Sequence, residues 1–265
     1  GPLKGGVDFG VLTIQSMATL FAACFGFGDA VLAMPLLSLL LHVSAASAAP
    51  LVTAVSTVLA TLTLCIDATD EQTANAGRWS HSFALVAAAA VGVPAGVQAL
   101  LLVDEHIIRA ALGIILIAYG SWTISKGQAP AEPEQEAEEA AGEAPPLGAL
   151  PFGFAAGLLG GAVAEFGPPV LVYGTAQRWG PATMRTMLAR FFLPLQIYAL
   201  CNYVAAGLWT EGMSEQVLAT VPAVAVAVLI GTAFNRRVDT KAFSTALYNM
   251  ILGLGGFCLS SAFSA

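Results

Sequence analysis

The chain has 265 residues, of which 57% are hydrophobic and only 10% are charged. Ordinary soluble domains carry about 25% charged residues, so this composition excludes a soluble globular protein. The formal net charge of −7 comes largely from one stretch, because 127–147 holds six of the 17 acidic residues and no basic residue. No basic stripe exists elsewhere, which excludes a nucleic-acid-binding protein.

Eight apolar stretches approach or exceed the roughly 20 residues that a helix needs to cross the hydrocarbon core. They are 11–41, 50–66, 82–103, 107–125, 148–175, 183–207, 215–234 and 242–263. Apolar and polar residues do not alternate within these stretches, as they do in the strands of a membrane barrel. The sequence therefore predicts an all-α polytopic membrane protein of about eight transmembrane segments, embedded in the lipid bilayer of the cell (inner) membrane.

Short matches recur in order along the chain and indicate an internal repeat. Phe21-Ala22-Ala23 matches Phe154-Ala155-Ala156, and the same spacing pairs Gly28 with Gly161 and Pro35 with Pro168. We predict two homologous four-segment halves, 11–125 and 148–263. The segment 126–147 joins them and is expected to be a disordered acidic linker, since it cannot bury apolar surface.

The first stretch of each half contains residues that interrupt helices. Gly26 to Asp29 lie within the first, and Gly160-Gly161 followed by Pro168-Pro169 lie within the second. Glycine and proline break helices, and discontinuous membrane helices point to a transport site. The half-helices that begin after Gly28 and Gly167 would present positive N-termini to an anion. Whether these stretches cross fully or turn back, giving parallel or inverted repeats, stays open.

Few ionisable side chains lie inside the apolar stretches, where each costs about 2.5–3.5 kcal/mol on insertion scales. Thr183, Thr186 and Arg190 share one helix face, and a guanidinium beside hydroxyl groups suits an oxyanion. The alternative is that Arg190 pairs with Glu165 or Asp29 only to hold helices together. Gln196 and Asn202 are uncharged polar candidates in the same stretch.

Asp29 and Glu165 stand next to the two interruptions and are candidates for carrying a coupled proton. Burial disfavours a charged carboxylate, so such a group can take up a proton on one side and release it on the other. For Asp29 the alternative is capping of its half-helix. For Glu165 it is a static pair with Arg190.

The two interrupted stretches resemble the start of each half in the TauE/SafE family, the sulfite or sulfonate exporters. The matching residues are Gly26, Gly28 and Pro35 in the first copy, Gly157, Gly160, Gly161, Gly167 and Pro168 in the second, with Ser56-Thr57 and Gly92 to Gly96 in the following helices. Asp29 and Glu165 depart from the family's glycine pattern. The resemblance implies a secondary transporter of small organic or sulfur-containing oxyanions such as sulfite, sulfonates or sulfoacetate. We expect it to act as an exporter, by alternating access, with protons or another ion as the coupling ion.

From these patterns we expect the substrate to contact nine residues: Gly28, Asp29, Ser56, Gly161, Glu165, Gly167, Pro168, Thr186 and Arg190. No cofactor or metal is expected, because the histidines are isolated and the four cysteines lie far apart. No enzyme is expected either, because the sequence holds no HExxH motif and no histidine at depth to activate a nucleophile. A passive anion channel, a cation or carboxylate transporter on the same fold, and a homodimeric assembly stay open.

Overall fold

A computed structural model describes residues 7–25, 28–67, 79–126, 146–177, 181–235 and some positions between 252 and 262. Within the described residues the regular structure is entirely helical. Its elements are α1 (Phe9–Phe25), α2 (Asp29–Leu40), α3 (Ala45–Asp67), α4 (Trp79–Leu102), α5 (Glu105–Lys126), a 3-10 turn (Pro146–Ala149), α6 (Leu150–Val163), α7 (Gly167–Ala176), α8 (Pro181–Ala205) and α9 (Met213–Asn235).

Three helical spans, from α3, α4 and α9, are long and apolar enough to cross a membrane: Ala45–Cys65, Phe83–Leu102 and Met213–Gly231. Large apolar side chains point outward from the helices rather than into the core, among them Phe9, Phe83, Val91, Leu102, Leu218 and Leu229. An apolar surface of this extent indicates a lipid-facing exterior. The all-helical membrane class is therefore confirmed. The linker 127–145 and much of the eighth stretch, 242–263, lie outside the described residues.

Both interrupted stretches are split in two, as the sequence predicts. The first is divided between α1 and α2, where Gly28 has a φ of 98° that favours glycine. The second is divided between α6 and α7, where Ala164 adopts a left-handed φ of 60°. This second break lies after the glycine pair rather than within it. Gly160 and Gly161 stay helical and are closely packed, Gly161 against the Val93 carbonyl and Gly160 against the Phe166 ring.

The interface between α4 and α6 brings two backbones into direct contact. A Cβ added at Gly153 would lie 2.5 Å from the Leu85 carbonyl oxygen, and one added at Gly157 would overlap the Ala89 carbonyl. Gly96 and Gly161 are equally confined by the facing backbone. Small residues permit this approach in membrane proteins, where dispersion contacts rather than water exclusion hold helices together. The interface fixes the end of α6 and thereby the break that follows.

A second interface joins α1 to α9, near opposite ends of the chain. A Cβ at Gly231 would lie 2.5 Å from the carbonyl carbon of Ala23. Asp8 caps α1 through its Oδ1, which accepts hydrogen bonds from the N–H groups of Gly10 and Val11. The buried Gln216 binds the Asp8 backbone twice, accepting from its N–H at 2.8 Å and donating to its carbonyl at 3.1 Å. These bonds anchor the start of α1 to α9.

The substitution Gly157→Ala should lower the stability of the protein by about 1–3 kcal/mol, because the new methyl group collides with α4. The matched control is Gly253→Ala, where a Cβ would meet nothing within 4 Å. Thermal unfolding in detergent measures both. Equal melting temperatures for the two variants would contradict the close packing of α4 and α6.

Candidate functional site

A partly open cavity of about 350 Å³ lies where the two helix breaks meet. Its walls come from the start of α2, the residues that link α6 to α7, the start of α7, and single positions of α5 and α8. The residues that line it are Gly28, Asp29, Ala30, Val31, Tyr119, Ala164, Glu165, Phe166, Gly167, Pro168, Leu171, Phe192 and Gln196. We call it the central cavity.

The N-termini of α2 and α7 both open onto the central cavity. The first N–H groups of a helix have no partner within the helix, and they carry partial positive charge. The N-cap residues, Gly28 and Phe166, supply no side-chain cap. In α7 the donors are few, since Pro168 and Pro169 have no N–H group. In α2 the Asp29 carboxylate accepts hydrogen bonds from the N–H groups of Asp29 and Ala30, so a ligand reaches these donors only where it replaces that carboxylate.

Asp29 stands in the first turn of α2 and is hydrogen-bonded to Ser56 of α3. The Ser56 hydroxyl also contacts the Val52 carbonyl at 2.9 Å. A hydroxyl donates only one hydrogen, so it cannot donate to both oxygens at once. When Asp29 is charged, Ser56 donates to it. When Asp29 is protonated, the carboxyl can donate to Ser56, which then donates to Val52. The pair accommodates either protonation state without moving.

Glu165 lies in the link between α6 and α7 and is 3% exposed. Its Oε1 has no hydrogen-bond partner among the described residues. Leaving such a group buried and charged is costly. Asp29 and Glu165 are close enough to repel each other when both are charged. This arrangement favours binding of a proton or of a ligand atom at Glu165.

Of the nine expected substrate contacts, the structure brings Gly28, Asp29, Glu165, Gly167 and Pro168 together at the central cavity, with Ser56 behind Asp29. Gly161 lies instead at the interface with α4, where a Cβ would overlap the Val93 carbonyl.

Arg190 is half-buried on α8 and is not among the described residues that line the central cavity. It precedes Phe192 by two residues, which places it roughly 200° around the helix from the lining side chain. The side chain of Thr186 lies outside the described residues. The contact of Arg190 with substrate stays a prediction.

Sequence reasoning did not select Tyr119, Phe192 or Tyr203. Tyr119 and Phe192 line the cavity from α5 and α8, and neither belongs to a sequence pattern that pointed to the site. The Tyr203 hydroxyl is shared between the carbonyl oxygens of Gly160 and Gly161, at 2.9 and 3.0 Å. It satisfies acceptors near the end of α6, just before the break. Gln196 could be found as a polar residue in an apolar stretch, and it does line the cavity.

Comparison with protein families identifies the chain. A family model described as "Sulfite exporter TauE/SafE" matches residues 11–257. The chain belongs to this family. It is therefore a multi-pass membrane transporter rather than an enzyme, and membership implies an exporter of sulfite- or sulfonate-type anions. Searches of curated proteins and of solved structures gave no significant match.

The substitution Tyr203→Phe should destabilise the protein by about 1–3 kcal/mol, because it removes the one buried hydroxyl donor that the Gly160 and Gly161 carbonyl oxygens share. Gly160 keeps a second donor, the Ala164 N–H. Tyr198→Phe is the control on the same helix, since Tyr198 is 39% exposed. Melting temperatures of both variants in detergent provide the measurement. A Tyr203 variant as stable as the control would mean that this hydroxyl does not support the break.

Proposed function

We propose that this chain is a proton-coupled secondary transporter, mainly an exporter, of small organic or sulfur-containing oxyanions such as sulfite, sulfonates or sulfoacetate. The observation that carries the proposal is the convergence of two helix N-termini and two carboxyl groups on one cavity. Family membership supports the substrate class. The proton coupling follows from the chemistry of the cavity.

The helix ends account for attraction of an anion. Among the described residues that line the central cavity, none is basic. In this cavity, backbone N–H groups and neutral donors are the groups that would meet the negative charge of a bound oxyanion first. The N-terminus of α2 offers the N–H groups of its first turn beside Asp29. Gln196 and Tyr119 add polar groups on the far walls.

The two carboxyl groups account for the proton coupling. An ionised carboxylate only accepts hydrogen bonds, so Asp29 and Glu165 would repel an oxyanion. A protonated carboxyl instead donates one hydrogen bond to it. The oxyanion therefore binds together with protons, and binding strengthens as the pH falls. Ser56 stabilises Asp29 in either state and so supports the exchange.

Binding of anion and proton together sets the direction of coupling. Both move the same way across the membrane, so net export is driven by an outward gradient of the anion. External acid opposes that export. This dependence separates the transporter from a passive anion channel, in which carboxyl protonation does not set the flux.

The packing of the helices supports the two predicted halves, 11–125 and 148–263, and alternating access between them. Each half would contribute one break to the central cavity. The first helix of each half packs on a later helix of the other, α1 on α9 and α6 on α4. Gly113 of α5 faces Gly255 of the last segment, where an added Cβ would lie 2.8 Å from the Gly255 carbonyl oxygen. Rocking of one half against the other would expose the cavity to alternate sides.

Arg190 and Thr186 of α8 remain proposed anion contacts in a second conformation. Gly161, at the α4 interface, would act through the position of the break rather than by touching substrate.

A monovalent-cation transporter is the second candidate. The pair of carboxyl groups without a basic residue among the described lining favours it, since carboxylates are the ligands that hard cations prefer. Under this alternative Asp29 and Glu165 act in their charged form.

A thermal-shift screen of the purified protein in detergent separates the two candidates. The ligands are sulfite, sulfoacetate, other sulfonates, carboxylates, sulfate and monovalent cations. A ligand at 100 times its dissociation constant should stabilise by about 2.7 kcal/mol. We expect stabilisation by sulfur oxyanions that is retained in Glu165→Gln, because an amide mimics the protonated carboxyl.

Proteoliposome flux tests the coupling in the same variant. Wild-type flux should respond to an imposed pH gradient, whereas Glu165→Gln should bind the anion and lose that response. Arg190→Ala measures the predicted guanidinium contact. In the thermal-shift screen, stabilisation by cations alone that is lost in Glu165→Gln would contradict the oxyanion proposal and favour the cation transporter.

A further inference from the structure

A second cavity, of about 290 Å³, lies beside the central cavity and contains an arginine. Its walls come from α2, α3, α5 and the end of α6. The residues that matter here are Met34, Ser38, Glu105, Arg109, Leu112 and Val163. We call it the Arg109 vestibule.

The vestibule and the central cavity share three walls. On α2, Ala30 and Val31 line the central cavity, and Ser38 lines the vestibule about two turns later. At the end of α6, Val163 lines the vestibule and the next residue lines the central cavity. The two cavities are therefore neighbours along α2 and α6.

Helix α5 shows where the vestibule leads. Leu112 lines the vestibule and Tyr119 lines the central cavity, which separates the two by about 10 Å along the helix. Asp104, Glu105 and His106, at the start of α5 and just before it, are polar and exposed, so this end of the helices lies at the membrane surface. The vestibule therefore lies between this exposed end of the helix bundle and the central cavity.

The charges of the vestibule suit an anion. Arg109 contacts Glu105 at 3.0 Å, with side-chain exposures of 19% and 44%. The buried Nε of Arg109 has no hydrogen-bond partner among the described residues. The Ser38 hydroxyl is nine-tenths buried in the same walls. An ion pair this exposed contributes little stability, so a competing oxyanion can replace Glu105 at low cost.

We infer that Arg109 forms a staging site for small oxyanions between solvent and the central cavity. The guanidinium binds two oxygens of the anion in place of Glu105, and Ser38 can donate to a third. The anion then passes along α2 to the N-terminus of that helix. This inference rests on the proposed function, and it assigns a cationic site to a pathway whose central cavity has no basic residue in its described lining.

Thiol labelling tests the staging site without reference to transport. The protein carries Ser38→Cys in a background where Cys24, Cys65, Cys201 and Cys258 are replaced by alanine. Two methanethiosulfonate reagents of similar size are compared, one bearing a sulfonate and one a trimethylammonium group. Each reagent's rate with the protein is divided by its rate with a free thiol. We expect this ratio to be about tenfold higher for the anionic reagent than for the cationic one, because Arg109 concentrates the anion.

The variants of Arg109 and Glu105 decide the outcome. Arg109→Ala should remove the preference for the anionic reagent, Arg109→Lys should keep much of it, and Glu105→Gln should increase it. Leu112→Cys serves as a second reporter should the Ser38 variant fail to fold. Equal labelling rates, or a preference unchanged in Arg109→Ala, would overturn the inference.

Flux measurements separate the failure of this inference from failure of the proposed function. In proteoliposomes, Arg109→Ala should raise the anion concentration for half-maximal flux about tenfold from the side on which the vestibule opens. Normal flux in that variant would overturn the staging site and leave the proposed function standing. Absence of oxyanion flux in the wild type would overturn the proposed function, and the labelling result would then report on Arg109 alone.

Discussion

A backbone that leaves its helix inside a membrane protein must find new hydrogen-bond partners or line a polar cavity. This chain breaks two helices, at Gly28 and at 164–166, and the remaining architecture keeps both breaks at the same place. The first N–H groups of α2 have no partner within the helix, and the Asp29 carboxylate engages those of Asp29 and Ala30. We propose that the same groups meet the anion, so that one set of atoms serves both the fold and the proposed function.

Close packing holds the second break in position. The glycines of α6 let its backbone contact α4. The Tyr203 hydroxyl of α8 donates a hydrogen bond shared between the carbonyl oxygens of Gly160 and Gly161. With α6 fixed on one side by α4 and on the other by α8, the chain can turn at Ala164 without losing the register of the helix before it. Glu165 is presented to the central cavity by this turn. Its exposure of 3% keeps water from stabilising its charge.

The two carboxyl groups are supported differently. Asp29 has Ser56 as a partner that can accept or donate, whereas Glu165 Oε1 has no partner among the described residues. A proton or a ligand therefore changes the energy of Glu165 more than that of Asp29. On this account both carboxyl groups can carry the coupled proton, Glu165 contributes more of the coupling, and Asp29 also holds the N-terminus of α2.

Local patterns in the sequence are enough to predict the membrane class and the two interruptions, and to select Asp29 and Glu165 beside them. Apolar length and the glycine and proline residues carry that information directly. The exact position of the second break is not predictable in this way, because a glycine pair within a helix means either interruption or close packing, and only the facing helix decides. Arg190 shows the same limit: its depth along α8 follows from the sequence, but the side of α8 that meets the cavity follows from packing. Tyr119 and Arg109 line cavities that form only when distant helices assemble.

The most direct test of the central claim is proton uptake on binding of a sulfonate, whose own charge does not change with pH near neutrality. Isothermal titration calorimetry in buffers of different ionisation enthalpy measures this uptake. The account predicts that the wild-type protein takes up protons as it binds the sulfonate, and that Glu165→Gln binds with reduced uptake. Binding with no proton uptake, or with proton release, would contradict the claim that protonated carboxyl groups hold the anion.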